Sequence, residues 1–337
     1  MTVADKIPLT LHHLALNETP YPPLESVQKA IADCIPEIHR YPQFYADDLI
    51  RSVARWRDVQ PESVIIGSGS VGVALQTLHA FTNGPDDEVV YGWRAFDAYP
   101  IITDMAGARR VEVPLTADGE QDLERILGSI TARTRVVILC NPHNPTGTTV
   151  GARALEAFLD ALPKSVLVLL DEAYMEFARD EALPQGLDLL RSGRENLVVL
   201  RTFSKAYGLA GLRVGYGLST PETAHRIRRM SVPYSITEVA RTAVAASITA
   251  EDELAERIAT VTRERTRMQA ALRARGWRVF ESRANFLWLA EPERCEAFHR
   301  ACAEPGIEVR LYPGEGIRLT IGTPDANDLV LETVRHL

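Results

Sequence analysis

The sequence predicts an α/β protein with a large, mainly parallel (mixed) sheet sandwiched by helices, plus a smaller α+β domain. Three observations carry this. Short apolar runs without polar alternation recur through the middle of the chain, which is the pattern of strands buried on both faces. Helical patterns separate these runs, as a parallel sheet requires. After Pro221 the alternation stops and a long helical stretch gives way to strand-like segments.

Taken in order, VIIG (64–67) precedes a helical run from Val71, and EVVYG (88–92) precedes a helix from about Phe96. RRVEVPL is a further strand. TRVVILC (134–140) leads through a loop to a helix from Ala152. VLVLLDEAY (166–174), LVVLRTFSK (197–205) and RVGYGLS complete the set. A helix is expected from about Ile236 to Arg275, followed by the strand ANFLWLA, a helix near Cys295, and the strands EVRLYP and IRLTIG. The expected division is a large domain over 30–232 and a small one from 1–29 with 233–337.

At 337 residues the chain is too long for one simple core. Its net charge of -8 is spread without long like-charge runs, which argues against a nucleic-acid groove. No apolar stretch reaches the roughly 20 residues a membrane span needs, and the N-terminus does not read as a secretion signal. Cys34, Cys140, Cys295 and Cys302 form neither a CxxC pair nor a zinc pattern, so free thiols, a cytoplasmic location and no metal are expected.

Ligands of open parallel sheets bind beyond the carboxyl ends of the strands. Four segments place polar groups there. GSGSVG (67–72) offers small residues and a helix N-terminus, which suits an anion or an ordinary turn. CNPHNPTGT (140–148) is a stiff loop able to fix an Asn donor, or simply a rigid turn. In DEAY (171–174), Asp171 at a buried strand end needs a partner, such as a protonated pyridine nitrogen, unless it caps a helix. In RTFSKAYGLAGLRVG (201–215), Lys205 lies in a run of small and apolar residues, where burial and nearby cations would lower its pKa and suit imine formation. Ser204 and Arg213 can both hold a phosphate.

Together NPHNPTGT, DEAY and SKAYGLAGLRVGY resemble the fold-type I pyridoxal 5′-phosphate (PLP) aminotransferases, within them the histidinol-phosphate aminotransferase branch. LALNETPYPP (14–23), HRYPQ (39–43), ANFLWL and IRLTIGT extend the resemblance over nearly the whole chain. It implies PLP held by Lys205 as a Schiff base, with Asp171 on the pyridinium nitrogen and Asn144 and Tyr174 on the ring's 3′-oxygen. It implies Phe96 stacked on the ring. Ser70, Val71 and Gly72, with Thr202, Ser204 and Arg213, would hold the phosphate. Tyr41 would reach the phosphate of a neighbouring subunit, which implies a homodimer with shared active sites. Arg318 resembles the substrate-clamping arginine; Arg310 matches a second anion-binding arginine or a surface salt bridge. Asn17 and Tyr21, in the LALNETPYPP motif, are assigned to the substrate side.

The chain departs from the branch in two places. Val71-Gly72 stands where histidinol-phosphate enzymes carry an acidic pair, and GSGSV with WRAF is closer to the aromatic (phenylalanine-type) aminotransferases. Only 13 residues precede LALNETPY, without the usual Tyr-x-Pro-Gly lid element. The expected activity is amino transfer between an L-amino acid, aromatic first and histidinol phosphate second, and a 2-oxo acid. A specialised substrate, or decarboxylase chemistry on the same scaffold, is the alternative.

Overall fold

The structure is a computed structural model that describes residues 11–178 and 183–337; the first ten residues of the expected small domain lie outside them. Eleven strands are formed by the described residues: β1 (His12–Leu14), β2 (Val64–Gly67), β3 (Glu88–Trp93), β4 (Arg109–Pro114), β5 (Thr134–Cys140), β6 (Leu167–Asp171), β7 (Leu197–Thr202), β8 (Gly215–Leu218), β9 (Phe286–Leu289), β10 (Ile307–Tyr312) and β11 (Gly316–Thr320). They make a seven-stranded sheet in the order β2-β8-β7-β6-β5-β3-β4 and a four-stranded sheet in the order β1-β10-β11-β9.

The unbroken apolar runs are explained by burial on two faces. Along β5, Val137 and Leu139 point into one core while Val136, Ile138 and Cys140 point into the other; β6 and β7 divide in the same way. Strand β8 is the exception to parallel pairing, running antiparallel to both β2 and β7. Its position depends on glycine, because a Cβ on Gly215 would lie 2.4 Å from the backbone nitrogen of Ser70. Gly215 is therefore in register with both Gly67 and Thr202, and the ends of β2, β7 and β8 meet at one place.

The expected helix from Ile236 to Arg275 is two helices, Glu238–Thr249 and Glu251–Ala274, parted at Ala250. The reason is local. Glu251, Asp252 and Glu253 crowd the first turn of the second helix, where negative charge complements the helix dipole. The helix expected from Val71 begins earlier, at Gly69, and the one expected from Phe96 begins at Ala98. Near the N-terminus, β1 pairs in parallel with β10, so that end of the described chain joins the small sheet. Helix Glu25–Cys34, which crosses the expected boundary at residue 30, packs on helix Glu238–Thr249. Among the described residues, no helix is long and apolar enough to cross a membrane.

Candidate active site

Where the carboxyl ends of β2, β5, β6 and β7 converge, a cleft of about 330 Å³ opens. Ser70, Val71, Phe96, Asn144, Asp171, Tyr174, Thr202, Ser204, Lys205 and Arg213 all line it, although they come from segments spread over positions 70–213. Leu16 and Glu18 close it from the N-terminal side.

One end of the cleft is built for an anion. Helix Gly69–Phe81 starts there with its free backbone N–H groups. Arg213 approaches so closely that a Cβ on Gly69 would sit 2.4 Å from its Nη2, and Gly69 has φ +73°. The Arg213 Nη1 donates to Ser204 Oγ at 3.4 Å, and Thr202 Oγ1 donates to the same oxygen at 3.0 Å. Arg213 itself takes the left-handed conformation, φ 53°. Gly72 does not line the cleft; it faces back onto Gly67 and Ser68.

The opposite end is acidic and buried. Asp171 is buried at the last position of β6. Its Oδ2 accepts from the Tyr99 hydroxyl at 2.8 Å and its Oδ1 from the Ala173 N–H at 3.1 Å. Burial pushes its pKa up, while those two donors and the Lys205 charge oppose the rise. Tyr99 was not singled out by the sequence reading. The available signal was its place one helical turn beyond Phe96, with which its ring makes an edge contact at 5.7 Å.

Between the two ends lies Lys205. Its Nζ donates to the Leu16 carbonyl at 2.9 Å and stands 5.8 Å from the centre of the Tyr174 ring. Burial first, then the charges of Arg318 and Arg213, pull its pKa down to about 7, against Glu18 and Asp171. A fraction of this amine is therefore neutral and nucleophilic near neutral pH.

Above the cleft, the Tyr174 hydroxyl accepts from Asn17 Nδ2 at 3.0 Å and Asn144 Nδ2 at 3.2 Å. Asn144 Oδ1 in turn accepts from Arg318 Nη1 at 2.6 Å. Arg318 is only 5% exposed, and its Nη2 donates to the Ala15 carbonyl at 2.7 Å. Its Nε has no hydrogen-bond partner among the described residues. A buried guanidinium held by neutral groups is costly until a carboxylate arrives. Arg310 lies directly opposite Arg318 across the β10–β11 ladder, and it pairs with Asp97 at 3.0 Å. That is the ion-pair alternative foreseen for it. Tyr21 lies outside the cleft, half-buried beneath the Arg257 guanidinium at 5.8 Å. Tyr41 also lies outside it, 86% exposed, with its ring against Tyr234 at 5.2 Å.

An anion cradle, a lysine with depressed pKa and a buried carboxylate in one cleft of an α/β sheet define a site for a phosphorylated, carbonyl-bearing cofactor. Comparison with known proteins agrees. Residues 10–334 match the family described as aminotransferase class I and II. An aromatic amino acid aminotransferase from Streptomyces coelicolor is 48% identical over 321 residues, spanning 95% of this chain and 89% of that protein. Another with that name, from Thermobifida fusca, is 48% identical over 322 residues, 96% of this chain and 89% of the relative. Among solved structures, a histidinol-phosphate aminotransferase from Sinorhizobium meliloti, in complex with pyridoxal 5′-phosphate, superposes with a TM-score of 0.87. It is 29% identical and covers 96% of this chain and 90% of its own. The chain belongs to the class I and II aminotransferases. It is a PLP-dependent aminotransferase with the α/β fold of that family, acting on amino and oxo acids.

Proposed function

We propose that the amino donor is an aromatic L-amino acid and the acceptor a 2-oxo acid, both handled at this one cleft. The observation that carries the reading is the uncompensated Arg318, set with its guanidinium 5.7 Å from the Phe286 ring and 6.0 Å from that of Tyr312. A guanidinium clamp suits the carboxylate of an amino or oxo acid, and the rings beside it, Phe286 and Tyr312, are buried side chains that hold the guanidinium in place. The relatives at 48% identity carry the aromatic amino acid name, which supports the aromatic choice.

The residues present fit PLP: the Gly69–Arg213 cradle is open only because residue 69 lacks a Cβ, and Asp171, buried at the end of β6, would gain a directly bonded cation in a protonated ring nitrogen. Ser70, Val71, Thr202, Ser204 and Arg213 would hold its phosphate, without the Gly72 expected beside them, Phe96 its ring face, Asn144 and Tyr174 its 3′-oxygen, and Asp171 its ring nitrogen. Bound PLP supplies an aldehyde carbon and an electron-withdrawing ring. Lys205 would hold it covalently through Nζ. As a free amine, with its pKa pulled down to about 7, Nζ would take up and return a proton near neutral pH. Arg318 binds and orients the substrate carboxylate, and Asn144 links that clamp to Tyr174. Asn17 contributes from the substrate side through Tyr174. Arg310 would act indirectly, through its ion pair with Asp97, the residue after Phe96, whereas Tyr21 has no place in the cleft.

We further infer a homodimer. Tyr41, Phe44, Tyr45, Val232 and Tyr234 form an exposed apolar surface near Tyr41, which suits coverage by a second copy and delivery of Tyr41 to its phosphate site. Sedimentation as a monomer at assay concentration would overturn the shared site. The substrate reading is tested by single-turnover loss of the cofactor's absorption band with a panel of L-amino acids and L-histidinol phosphate. Fast conversion by Phe, Tyr or Trp is expected; conversion by histidinol phosphate alone would refute the aromatic assignment.

A further inference from the structure

Tyr99 has no part in the roles assigned so far, yet its hydroxyl makes a short contact with the acidic group of the cleft. It sits in helix Ala98–Met105, just after β3, while Asp171 ends β6. Both side chains are buried, and the hydroxyl donates to Oδ2 at 2.8 Å. The other oxygen, Oδ1, is held by the Ala173 N–H. Two donors from two different elements thus fix the plane of one carboxylate.

We propose that Tyr99 is a positioning residue for amino transfer, fixing Asp171 and limiting its basicity so that the proton between Asp171 and the cofactor's ring nitrogen stays on nitrogen. This rests on the PLP aminotransferase reading of the same cleft. The physical argument is a competition. Burial favours the neutral carboxyl, which would draw that proton to Asp171 and leave a ring that withdraws electrons less. A donor to the carboxylate favours the ionised form and restores the balance. Tyr99 stays a donor because burial and the neighbouring Asp171 both push its own ionisation upward. Cys140, also buried here, is a weak donor and spends its thiol on the Pro142 carbonyl at 3.2 Å.

The ring of Tyr99 also packs, at 5.9 Å from Tyr91 and 5.7 Å from Phe96. Tyr99→Phe keeps that packing and deletes only the O–H, so it separates the two roles. The experiment compares full-length, PLP-loaded wild type, Tyr99→Phe, and enzyme carrying 3,5-difluorotyrosine at position 99, a stronger donor on the same ring. The readouts are kcat and KM for the amino donor and the ¹⁵N signal of cofactor labelled at the ring nitrogen. Tyr99→Phe is expected to lower kcat about tenfold or more, the scale of one hydrogen bond to a charged group, with KM changed less than about threefold. Its ¹⁵N signal should move toward that of a neutral pyridine, and the fluorinated enzyme should move the other way. An unchanged kcat and ¹⁵N signal in Tyr99→Phe, even with a lower melting temperature, would reduce Tyr99 to packing and overturn the proposal. A wild type that takes an amino group from no amino acid would instead overturn the parent reading.

Discussion

Replacing Arg318 with Gln removes a charge that lies just behind Asn144 of the cleft lining, and separates two effects that a simple activity loss would blend. Among the described residues Arg318 hydrogen-bonds to neutral partners, Asn144 and the Ala15 carbonyl, and its Nε has none. A substrate carboxylate would gain up to two charge-assisted hydrogen bonds there, each contributing about 1.5–3 kcal/mol. Allowing for what Gln recovers, roughly 3–5 kcal/mol is lost, which is about a hundredfold to several-thousandfold in kcat/KM. The same charge also helps depress the Lys205 pKa, so its removal raises that pKa and slows every amine substrate. The assay is therefore a ratio: single-turnover rates with L-phenylalanine and with 2-phenylethylamine, which has the same ring and no carboxylate. The expected outcome is a collapse of the amino acid's advantage over the amine, with cofactor affinity changed less than about threefold, since Arg318 does not line the phosphate cradle. Equal losses for both substrates would refute the clamp and leave Arg318 acting only through Lys205.

Lys205→Ala should abolish covalent cofactor, so borohydride treatment would leave none attached; cofactor fixed to that mutant would move the attachment site elsewhere. Because the neutral amine reacts and the Lys205 pKa is pulled down to about 7, PLP attachment to cofactor-free enzyme should accelerate as pH rises to about 7 and then level off. A rate still climbing steeply above pH 9 would show an unperturbed lysine. Away from the cleft, Glu172 is fully buried and accepts from Arg201 Nε at 2.8 Å. Glu172→Ala should destabilise the fold by about 1–3 kcal/mol, measured by urea unfolding, because the buried Gly186 N–H loses its acceptor and Arg201 keeps Glu176 as its ion-pair partner, at 3.2 Å.

The sequence made the strand-end segments visible because each couples a doubly buried apolar run to residues with few structural uses there, such as Asn144 between two prolines or Lys205 among small residues. What it concealed was pairing across the chain. Tyr99 and Asp171 are separated by 72 positions, and a tyrosine in a helix has many ordinary reasons to be there. The break at Ala250 was masked because neither Gly nor Pro marks it; only the acidic cluster that follows hinted at a new helix start. Tyr41 illustrates a different limit, since the role assigned to it needs a surface that one chain does not contain. Arg310 was left between two readings because residue type alone does not reveal a partner, and Asp97 supplies one.

The hairpin of β10 and β11 contributes Arg318, Arg310 and, through its turn, Glu315, which pairs with Arg94 just beyond β3. The cofactor-facing groups Asp171, Lys205 and Arg213 all come from elsewhere. The two tasks of the enzyme are thus encoded in separate stretches of sequence. A lineage can redecorate the rest of this hairpin and acquire a new appetite for substrates, provided it keeps Arg318, whose charge also acts on Lys205.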